Sequence, residues 1–255
     1  MTQDLLASFP ADTDTAGNRF LLGELLYEDK RWAEAITEYE TVAYKHASDA
    51  KAPDAGYTAL LAWAEIEKAA PAGPAREKAT RESVESALRF SRTFENDTRN
   101  GPVLTRAAEQ LFALGDTERA VTVAKVSLAL KPPPAPELRR TAWTVIAHQA
   151  FEKNEFATAE QAYGEVLALT PERAAGRAAL VERQAAAIYK QGEAARTAGD
   201  AKAAVGHFER VAALPALGAT SAVRASAQYD AAAALIGLKD WSKAAEALET
   251  FRRQQ

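Results

Sequence analysis

The hydrophobic positions of this chain recur at helical spacing, most clearly between Thr141 and Pro171. There Trp143, Ile146, Ala147, Ala150 and Phe151 fall on one face at steps of three and four residues. Phe156, Ala159, Ala162, Tyr163, Val166 and Leu167 draw the same stripe along a second helix. Asn154 lies between the two, and asparagine tolerates the left-handed conformation that ends a helix. Thr170 followed by Pro171 reads as the N-cap and first position of the next helix. Two helices of this kind cannot bury both stripes against each other alone, so the pattern calls for neighbours of the same design.

Those neighbours are written along the rest of the chain. Ala147, Ala159 and Tyr163 place two small residues and a bulky one at fixed offsets. The relation returns at Gly23, Ala35 and Tyr39, at Ala108, Ala120 and Ala124, at Gly192, Ala204 and Phe208, and at Ala232, Ala244 and Leu248. The turns repeat in register as well: Gly115-Asp116, Asn154-Glu155, Gly199-Asp200 and Lys239-Asp240. Glycine or asparagine suits a helix C-cap, and aspartate suits the N-cap that follows. The second repeat is irregular. Its helices are broken by Pro71-Ala72-Gly73-Pro74, and Ala62 and Ala64 are both candidates for its small-residue anchor. Ser8 to Asp14, with Pro10 as a breaker, reads as a loop ahead of the first repeat.

This pattern resembles the tetratricopeptide repeat (TPR), with Trp143, Ile146, Ala147, Ala159, Tyr163 and Pro171 on the family's motif positions and Pro132 closing the preceding repeat. The resemblance covers nearly the whole chain. It implies an all-α fold, a right-handed α-α superhelix of about six helix pairs. As a single solenoid over residues 1–255, its repeats run over about 14–47, 53–95, 102–131, 136–170, 171–214 and 220–253. The family period is about 34 residues. Here the steps from Ala108 to Ala147, Gly192 and Ala232 are 39, 45 and 40, which implies longer helices or longer connections. Met1 is the only methionine, and the chain stops directly after a helix pair with no capping helix. A longer parent protein is therefore expected.

Composition narrows the chemistry. The 47% hydrophobic fraction is rich in alanine, the best helix former. A net charge of −4 with mixed signs lacks the basic stripe that nucleic-acid binding needs. No apolar run approaches the ~18 residues of a membrane span. The absence of cysteine excludes disulfides and thiolate catalysis. His46, His148 and His207 sit in three different repeats, and none is paired at the spacing of a helical zinc site. His148 with Glu152 one turn on reads as a helical polar neighbour pair. No glycine-rich phosphate loop is present. These features predict no catalytic residues, no metal and no cofactor: the chain is not read as an enzyme.

What the resemblance implies instead is a binding surface. In the family, the first helix of each repeat lines a concave groove that holds an extended peptide or a partner helix. Carried over by motif, the groove positions are Phe20, Glu24 and Tyr27, then Thr105, Glu109 and Phe112, then Thr144, His148 and Phe151. Tyr189, Glu193 and Arg196 follow, and then Tyr229 with Ala233 and Ile236. The carboxylate clamp of chaperone-binding members, built from lysine, arginine and asparagine, is not reproduced, which points to a neutral or weakly basic, partly apolar ligand. The function expected is a protein–protein interaction scaffold with a protein or peptide partner, without nucleic acid and without insertion into a membrane. Alanine richness and lack of cysteine look bacterial, and the periplasm or cell envelope is favoured over the cytoplasm. The alternative is a peptide-sensing regulatory module whose superhelix changes curvature when the groove is filled.

Overall fold

The computed structural model of the chain describes residues 15–214, 216–218 and 220–254; the loop expected over Ser8 to Asp14 lies outside them. Every regular element among these residues is an α-helix, and there are twelve. They are α1 (Thr15–Glu28), α2 (Trp32–Lys45), α3 (Ala52–Ala69), α4 (Pro74–Thr93), α5 (Asn100–Ala113) and α6 (Thr117–Ala129), then α7 (Pro136–Glu152), α8 (Phe156–Ala168), α9 (Arg177–Thr197), α10 (Ala201–Ala212), α11 (Ala222–Gly237) and α12 (Trp241–Gln254). The chain divides between Pro134 and Ala135 into two compact units. Within each, every helix packs on the one before it and the one after it, giving three helix pairs per unit.

The turns inside the pairs share one construction. Lys30, Gly115, Asn154, Gly199 and Lys239 all take positive φ, between 60° and 82°. After each, a backbone N–H reaches back across the turn: Arg31 to Leu26, Asp116 to Leu111, Glu155 to Ala150, Asp200 to Ala195 and Asp240 to Leu235. This is the Schellman closure, which satisfies carbonyls that the helix end leaves without partners. The predicted aspartate caps are realised unevenly. Asp200 accepts from the Ala203 N–H at 2.9 Å and Asp240 from that of Lys243 at 3.3 Å. Asp116 makes no capping bond and pairs instead with Arg119 at 3.4 Å.

Two expectations give way here. Pro171 does not open a helix: α9 begins at Arg177, behind Gly176 with φ 84°. The Thr170 hydroxyl turns back onto α8 instead, donating to the Val166 carbonyl at 2.6 Å. Arg177 donates to the carbonyls of Leu167 and Thr170, at 2.7 and 2.5 Å, sealing the end of α8. The second correction concerns the irregular pair. Its anchor is Gly56, not Ala62 or Ala64, because a Cβ at Gly56 would lie 2.9 Å from the Phe90 ring.

The small-residue rule holds across both units. Ala35, Ala120, Ala159 and Ala204 are wholly buried, and Ala244 nearly so. Tyr39, Phe90, Tyr163 and Phe208 are the largest fully buried side chains, and Gly23, Gly56 and Gly192 give three of them room. Neighbouring pairs are laced by polar contacts between like helices. Second helices are joined by Arg89–Glu40, Arg119–Glu85 and Arg210–Glu160, with Ser86 also donating to Glu40. These pairs are about half exposed on the arginine side, so they set register more than stability. Replacing the wholly buried Ala159 with Leu overpacks its site and is expected to cost ~1–3 kcal/mol. An unchanged urea midpoint would refute that placement.

Candidate functional site

The first helices of the pairs are α1, α3 and α5 in the first unit and α7, α9 and α11 in the second. Neighbouring first helices lie side by side. Glu67 on α3 accepts from Arg106 at 3.0 Å and from Gln110 on α5 at 2.9 and 3.0 Å. Asp230 on α11 accepts from Tyr189 and Arg196 on α9. These contacts join α3 to α5 in the first unit and α9 to α11 in the second, where the predicted groove residues Tyr189 and Arg196 take part.

In the first unit, placing the anchor at Gly56 extends the groove register to α3. The positions three before, one after and four after each anchor become Phe20, Glu24 and Tyr27 on α1, Pro53, Tyr57 and Leu60 on α3, and Thr105, Glu109 and Phe112 on α5. Tyr57 and Leu60 were not identified from the sequence. The readable signal was Gly56 itself, which follows Gly23 by 33 residues, close to the family period. With Leu61 they form one wall of a cleft of about 190 Å³; Pro102, Val103 and Arg106 form the other, over Ala87 of α4. Leu61 is 42% exposed at its mouth.

Arg99 packs on Tyr57 beside the cleft. Its guanidinium donates to Asp54 at 2.8 Å and to Asp97 at 2.6 Å, and lies 4.8 Å from the centre of the Tyr57 ring. The same hydrogen bonds hold the Asp97 carboxyl below the usual carboxylate range. At the other groove positions, Phe20 meets Tyr39 edge-on at 5.6 Å and carries the Lys51 ammonium 5.2 Å above its ring. Glu24 is exposed, while Tyr27 and Phe112 are half-buried. Thr105 is a different case. It is 2% exposed and shares a 3.0 Å hydrogen bond with the Ser127 hydroxyl of α6, so it ties α5 to α6 and offers nothing to a ligand. Glu109 is exposed beside it, yet partial burial pushes its carboxyl upward, with Arg106 acting in the opposite sense.

The second unit uses its groove positions largely on itself. Thr144 donates to the Arg140 carbonyl at 2.8 Å, and Phe151 packs edge-on against Phe156 at 5.4 Å. Tyr189 donates to Asp230 at 2.5 Å, and burial together with that carboxylate pushes its phenol up to about 12. Arg196 pairs with Asp230 at 3.0 Å and Glu193 with Lys190 at 2.6 Å, so the charges on α9 and α11 are mutually satisfied. Tyr229 stands 58% exposed with Phe251 as its ring neighbour.

His148 is half-buried, 5.9 Å from the Tyr163 ring. Burial holds its imidazole below the ordinary value of 6.5; Arg183 of α9 pushes the same way, and Glu152 on its own helix opposes. The folded state thus binds fewer protons here than the unfolded chain. The resulting stability is fully present above about pH 6.5 and is lost as pH falls below it. The urea midpoint is expected to drop between pH 7.5 and 5.5, and the drop to be smaller in His148→Gln. An identical drop in both proteins would refute the assignment.

Among the described residues, no three His, Asp or Glu side chains are placed to hold a metal ion, and no helix is long and apolar enough to cross a membrane.

By sequence, no protein-family model and no curated protein matches the chain. Among solved structures it is similar to MamA from Desulfovibrio magneticus RS-1, residue 41 to the end, at 18% identity over 76% of this chain and 94% of that one, with a TM-score of 0.37. It is also similar to a putative kinesin light chain with nearly identical TPR-like repeats from Podosopora anserina, at 18% identity over 80% and 95%, TM-score 0.40. A tetratricopeptide repeat protein from Parabacteroides merdae ATCC 43184 aligns at 11% identity over 94% and 93%, TM-score 0.45. These are likenesses of fold only. The buried small residues, the aromatics seated on them and the repeated Schellman turns give the chain an all-α fold of TPR-like helix pairs.

Proposed function

We propose that the chain is a non-catalytic protein-interaction module, and that the first-helix face of its first unit holds a peptide or partner helix. The cleft between α3 and α5 carries this reading. It is mostly apolar in its lining, open to solvent, and roomy enough for one large side chain. Burying such a side chain fully is worth ~1.5–3 kcal/mol, enough to act as the anchor of a modest interface. The polar groups at its rim, Arg106 and Gln110, are already bonded to Glu67 and demand nothing from a ligand.

The test is selection of displayed peptides on the full chain, followed by titration against Leu61→Gln and against Val126→Gln on the second helix α6. Peptides weakened by Leu61→Gln and indifferent to Val126→Gln support the reading. Peptides that respond only to Val126→Gln overturn it. For the compartment we propose the bacterial envelope. Composition is its only support, since a chain without cysteine carries nothing for an oxidising compartment to cross-link. Fractionation of the source cell that recovers the protein with the cytosol would reject that placement.

A further inference from the structure

We propose that the segment received by the first unit is basic as well as apolar: one large apolar side chain flanked by lysine or arginine. This rests on the docking reading above and adds the charge of the partner. Three carboxylates lie along the face, Glu24 and Glu28 on α1 and Glu109 on α5, on the helices either side of the α3 wall of the cleft. None of the three forms an ion pair among the described residues, and all are exposed. Three cations nearby are already committed. Arg106 is held by Glu67, Lys68 by Glu65 at 3.7 Å, and Arg99 by Asp97 and Asp54. Lys51, over Phe20, and Lys30, two residues beyond Glu28, are the positive charges near these positions in no ion pair among the described residues, and the three carboxylates outnumber them.

The aromatic rings of the face are already engaged by cations of the chain itself. Phe20 and Tyr57 each already carry a cation over the ring, Lys51 at 5.2 Å and Arg99 at 4.8 Å. Electron-rich ring faces attract ammonium and guanidinium groups wherever geometry permits. A partner bringing positive charge would thus meet unpaired carboxylates around an apolar slot. One bringing negative charge would meet repulsion that Lys51 and Lys30 offset only in part. The corresponding face of the second unit lacks this bias, since Glu193 and Asp230 are neutralised by Lys190 and Arg196.

The experiment is fluorescence anisotropy of the full chain with three short peptides that share a central leucine and differ only in flanks of Lys, Gln or Glu. Each is titrated against the parent chain, Leu61→Gln, the triple variant Glu24→Gln/Glu28→Gln/Glu109→Gln, and a control variant Glu77→Gln/Glu82→Gln on α4. The Lys-flanked peptide is expected to bind roughly tenfold more tightly than the Glu-flanked one at low salt. That preference should shrink in the triple variant and at about 500 mM salt, and persist in the control. If the Gln-flanked peptide binds as well as the Lys-flanked one, and Leu61→Gln weakens both, the cleft stands and the charge inference falls. Equal loss of preference in the triple and control variants would also overturn it, as bulk attraction to an acidic chain. If Leu61→Gln changes no peptide's affinity, the docking reading fails and takes this inference with it.

Discussion

Replacing Phe90 with Ala is expected to destabilise the chain by ~3–5 kcal/mol, the range for truncating a fully buried aromatic side chain. The ring has no solvent exposure. It sits against Gly56, 5.3 Å from the Phe94 ring and 6.2 Å from that of Tyr57. Gly56 has no side chain with which to fill the space, and α3 and α4 are already closed around it, so the cavity stays largely open. For a chain of this size the melting temperature should fall by roughly 6–20 °C. The loss also reaches the surface. Tyr57 stands on Phe90 and forms a wall of the cleft, so any peptide bound there should weaken along with the fold. A melting curve that overlays the parent's would mean that the α3–α4 contact is wrong.

Gly192→Val is expected to cost about 3 kcal/mol, the upper part of the range for overpacking a closed site. The Cβ alone would lie 2.5 Å from Cε1 of Phe208, and that ring is fully buried with nowhere to turn. The informative comparison is Gly206→Ala on the adjacent helix α10, where an added Cβ meets nothing within 4 Å. There the loss of glycine's backbone freedom should stabilise by ~0.5–1 kcal/mol. Two helical glycines, in consecutive helices, thus predict shifts of opposite sign. Chemical denaturation of both variants checks this, and shifts of the same sign would reject the close approach of α9 to α10. Phe208→Leu combined with Gly192→Val should recover part of the loss, because the two residues compete for one space.

Much of this architecture was legible beforehand. The positive-φ turn positions at Gly115, Asn154, Gly199 and Lys239 were readable as residues between two apolar stripes. Ala120, Ala159, Ala204 and Ala244 were readable as crossings, because a small residue recurring in register has a steric reason to be there. The irregular pair was not. From Gly23 to Tyr39, and from Gly192 to Phe208, the anchor and its aromatic lie 16 residues apart, but from Gly56 to Phe90 they lie 34 apart. Helices α3 and α4, of 18 and 20 residues, lengthen both arms of the hairpin, so a fixed offset searched along the chain passes the true partner by.

The groove was legible as a register and not as a surface. Thr105 and Glu109 occupy equivalent-looking positions one turn apart on α5, yet one is buried on Ser127 and the other is exposed. Glu193 and Arg196 read as open groove charges, and the neighbouring helix α11 supplies Asp230 to neutralise the arginine. A periodic sequence specifies which side of a helix is apolar, because that depends only on 3.6 residues per turn and on the identity of each side chain. It determined on its own that this chain is a series of paired helices, where most of them turn, and which small residues lie between them. Whether a given position is open depends on the distance and side chains of a second helix tens of residues away. Only the tertiary packing decided that Thr105 is closed, that Tyr57 and Leu61 frame a cleft, and that Glu24, Glu28 and Glu109 form no ion pair among the described residues.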